Sequence, residues 1–308
     1  MAERGSSSAE DAAAGARTAA DAVERFGSAL IQHGKSNDRV YIMDPGTEPA
    51  ETLIARADEL AAAGGYTKLF AKVPGRSAAA FFAAGWRLEA FVPGLFGGHA
   101  SSRTAGAESQ DGFFIVKYLQ KAREAMAGEP AHRKKMADFA RMLSEISPAM
   151  PKPLPRTMTI RECLPEDAER MAAVFAQVFS DYPFPVDDPA FIRESMKEGT
   201  DYLCAESDGR IAALSSAEIN VAQAYAEMTD FAVLPEYRGL GLAGTLLQRM
   251  ETAAASKGIE TAYTIARLNA PGMNAAFLKA DYRYGGTLFA NTAMPEGLES
   301  MNVLYKGL

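Results

Sequence analysis

The stretch from Ala226 to Gly244 combines residue types that can hold a diphosphate. A strand-like run ends at Leu234, glycines follow at positions 239, 241 and 244, and an amphipathic helix begins at Leu242. The first amides of a helix have no partner inside it and point outward at the positive end of its dipole. Glycines let this backbone approach an anion closely, and Arg238 adds a cation. The spacing predicts a phosphate-binding turn.

Two common nucleotide motifs fit this sequence poorly. The glycines satisfy G-x-G-x-x-G, the dinucleotide fingerprint, with Glu260 about twenty residues further on. However, three predicted strands and two predicted helices precede the turn, residues 235–238 separate the strand from the glycines, and Glu260 precedes the next strand instead of following it. A P-loop is excluded because Gly34-Lys35-Ser36 has the right ending but Ala29 stands where a glycine is required. The other ligand class that could use this turn is coenzyme A, and an ordinary glycine-rich helix start is the competing interpretation.

The run Arg238-Gly239-Leu240-Gly241-Leu242-Ala243 resembles the R-x-x-G-x-G/A signature of the GNAT N-acetyltransferase superfamily. From Met158 onward, the resemblance implies an α/β (α+β) chain with the GNAT acyl-CoA N-acyltransferase fold, a mixed, mostly antiparallel sheet flanked by helices. It also implies acetyl-CoA as co-substrate. The cofactor-binding residues implied are Phe231, Ala232 and Val233 along the pantetheine arm, Arg238, Gly239, Leu240, Gly241, Leu242, Ala243 and Gly244 at the pyrophosphate, and Asn274. Asn274 could instead cap its helix locally.

A second resemblance extends over residues from about 30 to 308. The segments that are similar to beta-lysine N6-acetyltransferases are residues 32–41, 65–74, 263–267, 271–274, 284–286 and 301–302. This resemblance implies transfer of an acetyl group to the terminal amine of beta-lysine, a small-molecule acceptor, to give the compatible solute N6-acetyl-beta-lysine. It also implies lysine 2,3-aminomutase as the pathway partner that supplies the substrate.

Two carboxylates in the predicted strand are candidates for the acceptor site. Glu227 occupies the strand position at which several GNAT members carry a base glutamate, although a solvated strand acid is the competing interpretation. Asp230 lies three residues further on and therefore on the opposite face of a regular strand. A β-bulge between them would bring both into one cleft, where Asp230 would hold a substrate ammonium. Without the bulge, Asp230 is a structural acid.

Other candidate residues would protonate the leaving thiolate or bind the substrate carboxylate. Many GNAT members carry a tyrosine that protonates the leaving thiolate, and the matching position here is Phe277. Tyr282 is the expected substitute, with Tyr284 as an alternative, although aromatic residues at a strand start are often core. Lys35 and Arg39 are cationic candidates for the substrate carboxylate, and Arg has the better geometry for it. The three histidines are scattered, so no metal site is expected.

The chain divides into two parts at a proline-rich segment. We expect a disordered Ala/Ser-rich tail over residues 1–25, a smaller N-terminal α/β domain over 26–146, a linker over 147–156 and the GNAT domain over 157–308. Four prolines fall within residues 147–155, which excludes a helix there. Within the first domain, the pattern predicts a β-α-β-α-β unit over residues 39–92 and a helix over 113–146.

Composition bounds the class of protein. The chain has 308 residues with 32 Lys and Arg against 39 Asp and Glu, a net charge of −7. Residues 157–308 hold 12 Lys and Arg against 21 Asp and Glu, hence −9, which leaves +2 for the rest. This acidic half argues against nucleic acid as a partner. No run approaches the roughly 18 apolar residues of a membrane span, so no membrane contact and a cytoplasmic location are expected. An exposed edge strand near the C-terminus could pair two copies as a homodimer.

Two further functions stay open at this stage. The first is a GNAT acetyltransferase for another small amine or amino acid, because fold and cofactor do not determine the acceptor. The second is an acyl-CoA-binding sensor without catalysis. Phe277, at the position of the usual acid, favours the sensor, whereas Glu227 argues against it.

Overall fold

The computed structural model describes residues 21–97, 110–179, 184–294 and 296–308. Most of the predicted tail, residues 1–25, lies outside these ranges. The first strand, β1, covers Ala22–Phe26 and so includes the last four residues of that predicted tail.

The N-terminal half contains the predicted β-α-β-α-β unit. Its elements in chain order are β1 (Ala22–Phe26), β2 (Ala29–Gly34), β3 (Arg39–Asp44), α1 (Ala50–Gly64), β4 (Lys68–Pro74), α2 (Gly75–Ala83), β5 (Arg87–Val92) and β6 (Gly112–Tyr118). Helix α1 ends where Gly65 adopts a φ of 60°, the left-handed conformation that terminates many helices. Strands β3 and β4 are parallel, and α1 is the crossover connection that a parallel pair requires.

The predicted helix over residues 113–146 is wrong at its N-terminal end. Residues Gly112–Tyr118 form strand β6, which pairs antiparallel with β4 along seven residues. Helices α3 (Lys121–Ala125) and α4 (Pro130–Glu145) follow it. The run Phe113-Phe114-Ile115-Val116 is short, apolar and rich in residues that favour strands, and such a run does not distinguish a buried strand from a buried helix by periodicity.

The C-terminal half contains seven strands and four helices in the described residues. They are β7 (Met158–Glu162), α5 (Ala168–Val178), α6 (Pro189–Lys197), β8 (Thr200–Ser207), β9 (Arg210–Asn220), β10 (Tyr225–Val233), α7 (Leu242–Ser256), β11 (Thr261–Arg267), α8 (Pro271–Lys279), β12 (Arg283–Met294) and β13 (Gly297–Gly307). The predicted apolar stripe of α7 is buried, at Leu242, Leu246, Leu247 and Met250. Among the described helices, none combines the length and the apolarity that a membrane crossing needs.

The thirteen strands of the described residues form one sheet. Their order is β1-β2-β3-β4-β6-β5-β12-β13-β11-β10-β9-β8-β7. Most neighbouring pairs are antiparallel, and β3–β4 and β10–β11 are parallel. Strand β13 lies between β12 and β11, so the prediction of an exposed edge strand near the C-terminus is wrong. The described sheet ends instead at β1 and β7.

The two halves meet where β5 lies beside β12. Only one residue pair is in register there, Gly286 with Ala90. Buried charged groups of the N-terminal half bind the irregular middle of β12 instead. The Lys68 ammonium donates to the carbonyl oxygen of Phe289 at 2.6 Å and lies 3.3 Å from the Glu89 carboxylate, which accepts from the amide of Phe289 at 3.1 Å. Burial lowers the pKa of Lys68 to about 7, although the Glu89 carboxylate acts to raise it. The hydrogen bonds of this pair to Phe289 join β4 and β5 to β12 where the ladder contacts are missing.

An apolar cluster also crosses between the halves. Its members from the N-terminal half include Tyr41, Phe70 and Phe114, and those from the C-terminal half include Tyr225, Tyr263 and Val303. The proline-rich segment 147–156 runs along the C-terminal half, where the Ala149 amide donates to the Lys279 carbonyl oxygen at 2.8 Å. The division at this segment therefore separates the halves along the chain, whereas one sheet joins them in space.

Replacing Gly286 with Ala tests the close contact between the halves. A Cβ there would lie 2.2 Å from the Glu89 carbonyl oxygen, and the residue has a φ of 145°. We expect Gly286→Ala to lower the free energy of unfolding by about 3 kcal/mol, measured by urea denaturation. The control Gly297→Ala has a φ of 114° but open space around it, so it should cost only about 1–2 kcal/mol of backbone strain. Equal losses in both variants would contradict this account of the junction.

Candidate active site

A β-bulge in β10 brings two acids onto one cavity. The pairing of β10 with β9 shifts register between Thr229 and Ala232, and Asp230 adopts a φ of 49°. Glu227 and Asp230 both line the cavity as a result. The Ser216 hydroxyl donates to the Asp230 carboxylate at 2.6 Å. The bulge on which the predicted role of Asp230 depends is therefore present.

Strands β10 and β11 separate just beyond Glu227. They are paired at only three positions, from Tyr225 with Thr261 to Glu227 with Tyr263. Past that point, Met228, Thr229 and Phe231 of β10 and residues 264–267 of β11 line the cavity from its two sides. The separation exposes a free strand edge that an extended ligand can pair with.

The cavity has a volume of about 910 Å³, the size of a small-molecule site. It lies where the two halves meet, and both halves supply charged groups to its wall. The N-terminal half contributes Arg39, Tyr41 and Lys72, and the C-terminal half contributes Glu218, Glu227, Asp230 and Tyr263. In the described part of the chain, no group of three His, Cys, Asp or Glu side chains has an arrangement suited to a metal ion.

Glu227 is half-buried and held by a short hydrogen bond. The Tyr263 hydroxyl donates to Glu227 Oε2 at 2.6 Å. Burial raises the pKa of Glu227, the nearby Lys72 ammonium and the Tyr263 hydrogen bond act to lower it, and the Asp230 carboxylate adds to the rise. A carboxylate with a raised pKa is a stronger base, which suits proton abstraction from an amine.

Glu218 is a site residue that the sequence reasoning missed. It lies directly opposite Glu227 in the β9–β10 ladder and faces the same cavity, from which solvent reaches it. Partial removal of its carboxyl from water inside the cleft, followed by the neighbouring Glu227 and Asp230 carboxylates, acts to raise the pKa of Glu218, and the Lys72 ammonium acts to lower it. The turn between Asn220 and Tyr225 was the signal in the sequence that could have identified Glu218. Two residues beyond that pair along each antiparallel strand, Glu218 lies opposite Glu227.

The two predicted cations have different surroundings. Arg39 is buried at the cavity wall, where its guanidinium donates to the Asn291 carbonyl oxygen at 2.6 Å and lies over the ring of Tyr41. Lys35 is exposed, donates to the Gly65 carbonyl oxygen at 2.9 Å and is not part of the cavity wall. Lys35 is therefore wrong as a substrate ligand, because strand β2 and its turn carry it to the outer surface.

The predicted acid Tyr282 lies in the apolar core. It is buried, its ring packs edge-on against Phe277 with centroids 4.9 Å apart, and it is not among the residues lining the cavity. Burial raises the pKa of Tyr282 well above its usual range. The alternative Tyr284 is also outside the cavity wall and shares a 2.6 Å hydrogen bond with Thr287. Tyr282 is therefore a core aromatic residue and not the proton donor.

Asn274 has a structural role in the described residues. Its amide donates to the carbonyl oxygens of Arg267 at 2.8 Å and Ala270 at 2.9 Å, and its side-chain oxygen accepts from Asn302 at 2.9 Å. Every hydrogen-bonding group of the side chain except one acceptor lone pair is thereby used. Asn274 is fully buried and does not line the cavity, so the structure gives no support to its predicted contact with pantetheine. The local cap is also wrong, because Ala270 is the N-cap of α8 and no side chain caps it.

The glycine turn has the geometry of an anion site. Gly239 and Gly241 have φ values of 81° and 82°, which favour glycine, and Gly241 precedes the first residue of α7. The first hydrogen bond of the helix runs from the Thr245 amide to the Gly241 carbonyl oxygen at 3.2 Å, so the amides of residues 242–244 are free of intrahelical bonds. Lys152 of the proline-rich segment donates to the Gly239 carbonyl oxygen at 2.9 Å.

Comparisons with known proteins agree with this geometry. A profile of the Acetyltransferase (GNAT) family matches residues 168–279. Beta-lysine N(6)-acetyltransferase of Methanococcus maripaludis is 32% identical over 277 residues, which cover 90% of this chain and 95% of that protein. N-acetyltransferase YodP of Bacillus subtilis is 32% identical over 220 residues, covering 71% and 74%. Beta-lysine N(6)-acetyltransferase of Methanosarcina mazei is 35% identical over 150 residues, covering 49% and 55%.

The matched region contains the separated strands β10 and β11, the bulge and the glycine turn. These are the elements that the sequence resemblance implied for the C-terminal half, and the expected fold is confirmed. The chain therefore belongs to the GNAT acetyltransferase family and is an acetyl-CoA-dependent N-acetyltransferase.

Proposed function

We propose that the chain transfers the acetyl group of acetyl-CoA to the terminal amine of beta-lysine and releases N6-acetyl-beta-lysine. Two relatives that carry this activity in their names support the acceptor, one of them along nine-tenths of the chain. The single observation that carries the proposal is the charged cavity between the halves, which has carboxylates beside the GNAT strands and a buried guanidinium in the N-terminal half. Lysine 2,3-aminomutase would supply the substrate.

The acetyl-CoA site follows from two features of β10 and α7. Its pyrophosphate would accept from the turn amides of residues 239–244, with Arg238 as a nearby cation. Its pantetheine arm would pair with the edge of β10 at Phe231, Ala232 and Val233, opposite the point where β11 has separated. The acidic half would thus bind an anionic cofactor through oriented backbone amides.

The acceptor site follows from the distribution of charge around the cavity. Beta-lysine has one carboxylate and two amines, and the cavity wall has both kinds of partner. Arg39 is the candidate for the substrate carboxylate because a guanidinium can bind both of its oxygens. Glu227, Asp230 and Glu218 face the end at which β10 and β11 separate, where an ammonium would lie close to the thioester.

The reaction is a direct transfer. A terminal ammonium has a pKa of about 10.4, so presenting it as the neutral amine at pH 7 costs roughly 4–5 kcal/mol. Glu227 would accept that proton, directly or through water, as the nitrogen attacks the thioester carbonyl. The tetrahedral intermediate would then collapse as the C–S bond breaks, and the second proton of the attacking nitrogen would neutralise the leaving thiolate. The products are the amide, the free coenzyme thiol and a proton held by Glu227.

An acceptor panel tests this function. With acetyl-CoA, we expect kcat/KM for beta-lysine to exceed that for α-lysine and for a polyamine by about tenfold or more, because the loss or misplacement of one charged partner costs at least about 1.4 kcal/mol. Release of free coenzyme thiol measures the rate, and mass spectrometry locates the acetyl group. A clear preference for another amine would assign a different acceptor. Slow thioester hydrolysis that no amine accelerates would indicate an acyl-CoA sensor.

Replacing Glu227 with Gln tests the base. The variant cannot accept a proton, so we expect kcat at pH 7 to fall by about a hundredfold. Because a carboxylate works as a base only when ionised, the wild-type rate should rise with pH through the raised pKa of Glu227, and E227Q should lack this limb. Glu194→Gln is the matched control, since Glu194 is exposed and pairs with Lys197 on α6. A full rate and an unshifted profile in E227Q would reject the assignment.

Replacing Gly241 with Ala tests the cofactor turn. The added Cβ strains a residue with a φ of 82° and displaces the amides at the start of α7. We expect the KM for acetyl-CoA to rise at least tenfold, because a hydrogen bond to a charged group contributes about 1.5–3 kcal/mol. Gly258→Ala is the control, since Gly258 has the same φ of 82° just beyond the other end of α7. The proposal fails if both variants change this KM equally.

A further inference from the structure

Lys72 is a buried ammonium that the proposed reaction does not yet use. It lies on β4 in the N-terminal half and is only 6% exposed. Side chains alternate along β4, so Lys68, Phe70 and Lys72 share one face of the strand, and Phe70 and Lys72 line the cavity. An isolated buried ammonium is costly, and such a group needs partners to remain charged.

The partners of Lys72 belong to the C-terminal half. Its ammonium donates to the Tyr263 hydroxyl at 2.8 Å and to the Tyr225 hydroxyl at 3.3 Å. The ammonium also lies 4.6 Å from the centre of the Tyr225 ring and 5.2 Å from that of Tyr263. Tyr263 is 191 residues away in the chain, so only the tertiary structure brings the two together.

Tyr263 connects this ammonium to the candidate base. Its hydroxyl accepts from Lys72 and donates to Glu227 Oε2 at 2.6 Å, which gives a chain of two directed hydrogen bonds from a cation to a carboxylate. In such a chain, the first bond polarises the hydroxyl and strengthens the second. The direction of both bonds is the one that an ionised Glu227 requires, because a carboxylate only accepts.

We propose that Lys72 is a positioning residue of the catalytic centre, whose ammonium acts through the Tyr263 hydroxyl to hold Glu227 ionised and oriented toward the acceptor amine. The inference rests on the proposed role of Glu227 as the base. It gives the N-terminal half a part in catalysis, because the GNAT half supplies the base and the tyrosine but not the cation.

The groups around Glu227 have opposite effects on its pKa, so removal of the Lys72 charge should shift that pKa measurably. Glu218 from β9, Asp230 from β10 and the phenol of Tyr41 from β3 lie near it together with Lys72 and Tyr263. Burial acts to lower the pKa of Lys72, whereas the neighbouring tyrosine hydroxyls and the Glu227 carboxylate act to raise it, and the net direction is upward. The two hydrogen bonds to the Tyr225 and Tyr263 hydroxyls stabilise the ammonium. Its positive charge acts to lower the pKa of Glu227.

Lys72→Met removes the charge and keeps the volume. We expect the acid limb of the rate profile to move up by about one pH unit and kcat at pH 7 to fall about tenfold, with the KM for acetyl-CoA unchanged. Tyr263→Phe should have a similar effect, and the double variant should be no worse than either single one, because both act through one chain. Lys72→Arg should recover part of the rate. Lys117→Met is the control, since Lys117 lies on neighbouring β6 and pairs with Asp58.

A direct titration of the Glu227 carboxyl tests the proposal without an acceptor amine. Carbon-13 NMR of glutamate side-chain carboxyls, with the Glu227 signal assigned by its loss in E227Q, should show a higher midpoint in K72M and a partly restored one in Lys72→Arg. An unmoved Glu227 midpoint in folded K72M overturns the proposal. A raised KM for the acceptor, with the acid limb of the rate profile unmoved, also overturns it, because Lys72 would then be a substrate ligand. If K72M does not fold, the same titration is made on Tyr263→Phe and Lys72→Arg, and an unmoved Glu227 midpoint in both variants would overturn the proposal. A shifted midpoint without acetylation of any amine would reject the proposed function and with it the catalytic role of Lys72, whereas an unmoved midpoint in a protein that acetylates beta-lysine would reject this inference alone.

Discussion

The buried pair of Lys68 and Glu89 binds the middle of β12 to the N-terminal half of the sheet. Because β5 and β12 share a single residue pair in register, these charges and the apolar cluster beside them hold the two halves at their relative angle. The cavity is the space that this arrangement leaves. Its wall contains Arg39 and Lys72 from one half and Glu227 from the other, so a change at the junction would alter the distances between them.

Charged and polar groups serve different purposes at the glycine turn and in the cavity. In the proposed site, the glycine turn would offer amides and one exposed arginine to the anionic cofactor, within a half that carries a net charge of −9 (12 − 21 for residues 157–308). In the cavity wall, the carboxylates come from the C-terminal half, beside the point where β10 and β11 separate, and the cations Arg39 and Lys72 come from the N-terminal half. An acidic half that binds an anionic cofactor through its backbone can keep its acidic side chains for a cationic acceptor. The same arrangement raises the pKa of Glu227 through burial, which strengthens it as a base.

Sequence reasoning was accurate wherever the signal was local. Alternation and turn residues predicted β3, α1, β4, α2 and β5, and the glycine spacing predicted the turn before α7. It was inaccurate where the partner was distant. Strand β6 was mistaken for a helix because its apolar run has no distinctive period, and it becomes a strand by pairing with β4. Tyr282, Asn274 and Lys35 have suitable chemistry, but packing places the first two in the core and a surface turn carries the third outward.

The sequence by itself determined the family of the chain and the glycine turn before α7, and it predicted the candidate base, because helix starts, glycine conformations and strand alternation depend on neighbouring residues. Only the tertiary structure decided what surrounds that base. Asp230 reaches the cavity through a bulge, Glu218 through the register of β9 with β10, and Lys72 through a contact across 191 residues. Each of these depends on pairing or packing between segments that are far apart in the chain, and residue type and local spacing do not encode such contacts.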